Sequence, residues 1–333
     1  MKEILIELYS PEFAERWDRF VKDESRNGTI FQERRFLAYH PAERFEDDSL
    51  VFVTDGIIVG VFPAAKVKSE NGYRAVSHPG SSAGGIVFHR KCGLRDVLFM
   101  LEKAIMYYQK TGIASLELRL GEPVFAYPVE GELGFMLWHR GFKLTSREIS
   151  SCVNLLADQD WFDFGRKNNR TDIRRLVRKG ITVELLEEPS TIYPLIYANL
   201  GNKYGKHPTH SLPELIDLKQ RYPERIHFWA AMHESQPVAT IVVFIANQYA
   251  VHNFYTAQGS DASKLHIMPL LFDHVFRYYK NCGYLWFNFG ISSRGDWIKW
   301  GILEFKEQMG GRATIRENWV YDDLSKYIAY EEK

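Results

Sequence analysis

Apolar positions along the chain recur with two periods, and the change from one to the other happens twice in the same order. Ile4–Leu8 alternates as a strand does, and Pro11–Val21 then sets Phe13, Trp17, Phe20 and Val21 at helical spacing, with Ser10 as cap and Pro11 at the first helical position. The apolar runs Leu50–Val53 and Ile57–Lys66 flank Asp55–Gly56, a pair that favours the tight hairpin turn. A strand near Tyr73–Ser77 and the loose segment His78–Gly85 (HPGSSAGG) follow. Asp96–Lys110 carries Val97, Leu101, Ile105 and Tyr108 on one helical face, Thr111–Gly112 ends it, and Ile113–Leu120 is the next strand.

The second half repeats this order. Ile226–Met232, a turn at Glu234–Pro237 and Val238–Ala246 read as a hairpin, with Ala250–Tyr255 as a further strand. A helix then runs to about Lys280 with Leu271, Val275 and Tyr279 on one side and Pro269 in its first turns or bending it. Asn281–Gly283 closes it, and Tyr284–Phe289 is an aromatic strand. The segments Tyr107–Leu118 (YYQKTGIASLEL) and Tyr278–Phe289 (YYKNCGYLWFNF) echo each other, too far apart for a solenoid and at a spacing that suits a duplicated domain. The pattern predicts an α+β fold of mixed sheets under helical cover. The two domains span 1–155 and 156–333, the second opening on a basic linker helix over 166–179. Only the second copy is followed by a lysine-bearing tail within Trp286–Arg312 (WFNFGISSRGDWIKWGILEFKEQMGGR).

Composition narrows the classes. A chain of 333 residues with 45% hydrophobic and 25% charged side chains is globular and long enough for two cores. Basic and acidic residues number 42 each, so the whole molecule is not steered toward nucleic acid. Cys92, Cys152 and Cys282 are too few and too scattered for a disulfide framework or a structural zinc site, which suits a reducing cytoplasm. The N-terminus is charged from its second residue, unlike a signal peptide, and no apolar run has spanning length; peripheral contact with a membrane stays open.

Several constellations can carry chemistry. Lys306 follows Leu303 and Phe305 and precedes Gly310–Gly311, among Trp297, Trp300 and Ile302. Such a lysine is either a solvated helix residue or a partly enclosed ammonium able to neutralise a phosphate or an oxyanion. Arg170, Arg174 and Arg178 recur at i, i+4, i+8, one face suited to a phosphate-bearing ligand or simply to solvent and the acidic run Glu184–Glu188; Asn168 or Asn169 caps the helix. The loop Asn199–Ser211 offers Lys203, Tyr204, Lys206, His207, His210 and Ser211 as substrate contacts, without the carboxylate or cysteine that would complete a metal set. Glu214 is a weak candidate for a general base. Gly259, Ser260 and Ser263, between a strand and a helix, permit close approach of a cofactor pyrophosphate, although no full phosphate-loop motif is present.

Three pieces together resemble the FemAB-like (BioF2-like) branch of the GNAT acyltransferase superfamily: Asn169–Val183 (NRTDIRRLVRKGITV), Leu285–Gly290 (LWFNFG) and Leu303–Gly311 (LEFKEQMGG). The resemblance implies tandem GNAT-like domains and an N-acyltransferase. Relatives in this family move an aminoacyl group from charged tRNA to a cell-wall precursor, or acylate surface polysaccharide and lipid precursors. Lys306 matches the lysine that contacts the donor end, and Arg170 or Arg174 the region that holds acceptor phosphates. Asn288 and Ser292, within and just after the LWFNFG strand, join the substrate-contact candidates. The implied donor is acyl-CoA, favoured, or aminoacyl-tRNA through its acceptor end, with no metal. The acceptor is an amine-bearing glycan, nucleotide-sugar or lipid-linked precursor. A non-catalytic glycan-binding or assembly protein is the alternative outside enzymes.

Overall fold

The computed structural model describes the chain except residues 1–2, 42, 71, 158–159, 164–167, 206 and 330–333, and the side chains of 202–204 and 261. It contains two compact units, one formed by Met1–Glu148 with Ile315–Lys333 and the other by Ile149–Thr314. The chain passes from the first to the second within the strand Lys143–Asn154 and returns within the strand Arg312–Tyr321.

In the first unit, Leu5–Leu8, Leu50–Thr54, Ile57–Phe62 and Val87–Phe88 form an antiparallel sheet. Asp55 and Gly56 both adopt positive φ, the geometry a two-residue hairpin turn requires. The expected strand Ile57–Lys66 is broken in two. Pro63, which has no N–H to give to a ladder, ends Ile57–Phe62, and Ala64–Ser69 pairs instead with Gly72–Ser77. Gly72–Ser77 then runs parallel to Ile113–Arg119 across the helix Leu94–Lys110. That helix begins at Leu94, two residues before the expected Asp96, because Asp96 Oδ2 accepts from the Gly93 N–H at 2.9 Å and so closes the first turn. Its face of Val97, Leu101, Ile105 and Tyr108 is buried against Phe62, Leu116 and Leu118. The expected helix Pro11–Val21 opens as a 3-10 turn, becomes α over Ala14–Arg19, and widens into a π turn at Phe20–Glu24.

The second unit uses the same plan. Ile226–His233 and Gln236–Ile245 form a hairpin whose turn residues Glu234 and Ser235 again take positive φ. Ala250–Gln258 lies antiparallel to Gln236–Ile245, and the helix Met268–Asn281, with Pro269 in its first turn, leads to the parallel strand Trp286–Ile291. Leu271, Val275, Phe276 and Tyr279 are buried beneath it with Ile241, Val243 and Phe287. The duplicated module is therefore a hairpin, a helix and a parallel strand, present once in each unit.

Candidate functional site

The site of interest arises where two parallel strands part. Ala250, Val251 and His252 pair with Trp286, Phe287 and Asn288, and the ladder ends there although the first strand continues to Gln258. Each strand bulges at this point. Val242 and Val243 oppose Tyr255 and Asn253, leaving Phe254 as an extra residue; Asn288 and Gly290 oppose Cys152 and Ser151, leaving Phe289. The wedge opens into a cavity of about 380 Å³ lined by Asn253, Phe254, Thr256 and Gln258 from one strand, Phe289 from the other, and Ile302, Phe305 and Lys306 from the helix Trp300–Gln308.

Lys306 is only 6% exposed, so the enclosed reading holds and the solvated one does not. Its Nζ donates to the carbonyls of Gly290 at 2.6 Å and Ile291 at 2.8 Å, the carbonyls that follow the bulge. Local chain chemistry fixes it there. The backbone N–H of Gly311 returns to Lys306 O at 2.8 Å, and Gly310 at φ +91° lies so close to Trp161 that a Cβ would stand 2.2 Å from its carbonyl oxygen. Asn288 is fully buried on the adjoining strand. Its Oδ1 accepts from Gly290 N at 2.7 Å and faces His252 Nδ1 at 2.9 Å, which places a proton on Nδ1. Its Nδ2, like Ser292 Oγ, is buried with no hydrogen-bond partner among the described residues.

The equivalent wedge in the first unit is closed. Past Val76–Glu117 the segment His78–Gly85 turns back along the strand: Gly84 N donates to Arg119 O at 2.9 Å, Arg119 N donates to Ser77 Oγ at 2.7 Å, and Gln32 Nε2 donates to Gly84 O at 3.2 Å. A cavity of about 290 Å³ beside it is lined by Glu122, Glu130 and Glu317 and by no lysine or arginine. Among the described residues, the second wedge has a cation in its lining and the first has none.

The other sequence candidates fall elsewhere. Arg170 is committed to Asp160 and, at 2.5 Å, to Asp273, with its guanidinium over the Phe162 ring. Arg174 and Arg178 are exposed on the same helix, while Arg175 pairs with Asp172; Arg166 and Lys167 lie outside the described residues. Asn168 makes no side-chain cap, and Asn169 donates instead to Gln308 O at 2.9 Å. The side chains of Lys203 and Tyr204, and all of Lys206, lie outside the described residues. His207 is exposed against the Tyr197 ring, and His210 is buried on Tyr255 Oη. Ser211 caps the helix Leu212–Arg221 in a reciprocal box with Glu214. Gly259 N donates to Val238 O at 3.0 Å directly after the cavity residue Gln258, and Ser260 and Ser263 are exposed on the short helix Ser260–Lys264. Sequence reasoning missed His252, Asn253, Thr256 and Gln258. Their one signal was polar side chains interrupting an apolar strand.

No protein-family model and no curated protein matches the chain by sequence. Its fold does match solved structures. FemX superposes with a TM-score of 0.72 at 11% identity, covering 97% of this chain and 98% of that one. L-PGS from Bacillus licheniformis gives 0.56 at 15% identity over 94% and 92% of the two chains. A tandem GNAT protein from the clavulanic acid biosynthesis pathway gives 0.54 at 11% identity over 96% and 98%. The FemAB-like resemblance is thus borne out in the backbone: the chain has the α+β tandem GNAT-like fold that FemX and these proteins share.

Proposed function

We propose that the protein is an N-acyltransferase working in the wedge of its second unit, with Lys306 as the charge that stabilises the reaction. The carrying observation is a buried ammonium lining a cavity between two parallel strands at the point where their pairing stops. An acceptor amine attacks the carbonyl carbon of an activated acyl donor, a C–N bond forms, and the carbonyl oxygen becomes an oxyanion. The C–S or C–O bond to the leaving group then breaks, and the departing thiolate or alkoxide takes up a proton as the amine nitrogen loses one. A fixed cation in an enclosed site opposes the developing negative charge without reorganising, and the cavity holds the two reactants together.

Acyl-CoA is the favoured donor, because the parallel ladder stops at His252 and the strand residues beyond it line a cavity able to take an extended, amide-bearing chain; aminoacyl-tRNA is the second reading, supported by the likeness to FemX. The acceptor is an amine of a cell-envelope or polysaccharide precursor. Gly259, Ser260 and Ser263 remain the proposed contacts for the donor's phosphates, and Arg174 and His207 for the acceptor. Arg170 and Ser211 would act on substrate only through neighbouring groups, since each is already engaged within the protein, and Asn288 is engaged at its Oδ1 alone. The decisive experiment incubates the protein with radiolabelled acetyl-CoA or aminoacyl-tRNA and candidate amines, in native form and as Lys306→Met. Transfer by the native protein and none by a folded variant is the expected result; equal transfer by both would refute the role of Lys306.

A further inference from the structure

Amide formation needs a group that takes a proton from the attacking nitrogen, and the lining of the wedge does not supply one. Its described polar side chains are Asn199, Asn253, Thr256, Gln258 and Lys306: three amides, a hydroxyl and an ammonium that already carries its proton. Among the described residues, two imidazoles pack against the lining residue Phe254, His210 at 4.7 Å and His252 at 6.0 Å between ring centroids. His210 is 1% exposed, with its Nδ1 on Tyr255 Oη at 3.0 Å. His252 is half-buried and stands at the last rung of the parallel ladder, where the wedge opens, directly before the lining residues Asn253 and Phe254.

The hydrogen bonds around His252 determine which of its nitrogens can titrate. The backbone N–H of Gly290 can only donate, so the Asn288 side-chain atom 2.7 Å from it is the amide oxygen. The same oxygen lies 2.9 Å from His252 Nδ1, which therefore donates as well. Nδ1 keeps its proton, and Nε2 is the nitrogen that can gain or lose one. That edge of the ring lies against the peptide that receives the lysine. A Cβ on Gly290 would stand 3.3 Å from His252 Cε1 and 3.9 Å from Nε2, and Gly290 O accepts from Lys306 Nζ at 2.6 Å. The other titratable groups that adjoining elements bring near are Cys152, opposite Asn288 in the antiparallel ladder, and Tyr193 and Tyr255 around His210. The described lining contains no carboxylate. We propose that His252 Nε2 is the general base of the transfer, held in its basic tautomer by Asn288. As the C–N bond forms, a proton of the amine nitrogen moves to Nε2 while Nδ1–H stays on Asn288 Oδ1. When the oxyanion collapses and the C–S or C–O bond breaks, that proton passes to the departing thiolate or alkoxide, and the base is restored. This role rests on the acyltransferase reading of the site and names the group that handles its proton.

The test compares the full chain in native form with His252→Gln and Asn288→Asp, using acetyl-CoA or alanyl-tRNA as donor and glucosamine or a lysine-bearing peptide as acceptor. With the pair that the native protein uses, His252→Gln is expected to lower kcat by roughly 10²- to 10⁴-fold, the span of general-base catalysis, with both KM values little changed. The acidic limb of the pH profile should vanish with the imidazole. Asn288→Asp keeps an oxygen toward Nδ1 but adds a negative charge that favours the imidazolium, so the same limb should move to higher pH. A residue that only supports the fold would not shift that limb. Nitrogen-15 NMR of the histidine rings reads the tautomer without turnover: the signal missing from His252→Gln should show a protonated Nδ1 and, at alkaline pH, a bare Nε2. Circular dichroism establishes that each variant is folded. A bare Nδ1, or native kcat and native pH profile in His252→Gln, would overturn the role of His252 while Lys306-dependent transfer stands. Absence of transfer by the native protein with every pair would instead take down the acyltransferase reading, and this role with it.

Discussion

At the scale of single residues, the site depends on who satisfies the backbone where it bulges. Gly290 is served on both sides, its N–H by Asn288 Oδ1 and its carbonyl by Lys306 Nζ. Asn288 also holds His252, so one buried amide sets the orientation of an imidazole and of the peptide that receives the lysine. Asn288→Ala would remove the acceptor that Gly290 N and His252 Nδ1 share, at about 1–3 kcal/mol for the half-buried Gly290 N–H. The expected outcome is a lower melting temperature together with reduced transfer, although Lys306 is still present. Asn288→Asp, which keeps an oxygen toward Gly290 N and His252 Nδ1, should recover part of both. Thermal unfolding and turnover of the two variants check this; an alanine variant with native stability and native turnover would remove Asn288 from the account. The sequence made Lys306 conspicuous because a lysine between aromatic positions and a double glycine breaks the local pattern. It gave His252 and Gln258 no such contrast, since their importance comes from a ladder that ends beside them.

At the scale of elements, one difference between the two copies of the module is whether the gap between their parallel strands is bridged. In the first copy the bridge needs a glycine. A Cβ on Gly84 would lie 2.4 Å from Ser77 Oγ and 2.8 Å from Arg119 O, and the second of these is backbone that cannot rotate away. Gly84→Ala is therefore expected to push the His78–Gly85 segment off the strand and cost about 1–3 kcal/mol, as overpacking of a close contact does. Urea denaturation measures the loss, and hydrogen exchange at the Gly84 and Arg119 amides locates it; unchanged protection at both would show that the bridge tolerates a side chain. The helices and apolar strands of both modules were legible because burial on one face writes a period into the sequence. The strands Lys143–Asn154 and Arg312–Tyr321 were not. Their segments KLTSREISSCVN and RATIRENWVY are rich in charged and polar residues, held in part by pairs such as Arg147–Glu317 and Arg316–Glu148 that leave no apolar alternation to read.

At the scale of the whole molecule, stability is tied to keeping buried imidazoles neutral in each unit. His78 in the first and His227 in the second are both pushed down to about 4, chiefly because burial disfavours the charged ring. In each the folded value lies below that of the unfolded chain. The unfolded state then binds more protons between about pH 6.5 and 4, so stability is full above that window and falls as the pH descends through it. Asp18 works in the opposite sense. Burial raises its carboxyl to about 6, so protonation on acidification favours the folded state and offsets part of the loss. His227 gives the cleaner test, because its Nδ1 meets Tyr279 Oη at 2.8 Å in the apolar core and Lys219 adds a second unfavourable charge for the protonated ring. The depression corresponds to stability on the order of 3 kcal/mol lost across the window. His227→Gln can keep a hydrogen bond to Tyr279 but cannot titrate. Urea unfolding at pH 7 and at pH 4.5 should therefore show a drop in the native protein that is smaller by about 2 kcal/mol in the variant, most of the shift a single such histidine supplies. Equal drops in the two proteins would mean that His227 is already charged, or already solvated, in the folded state.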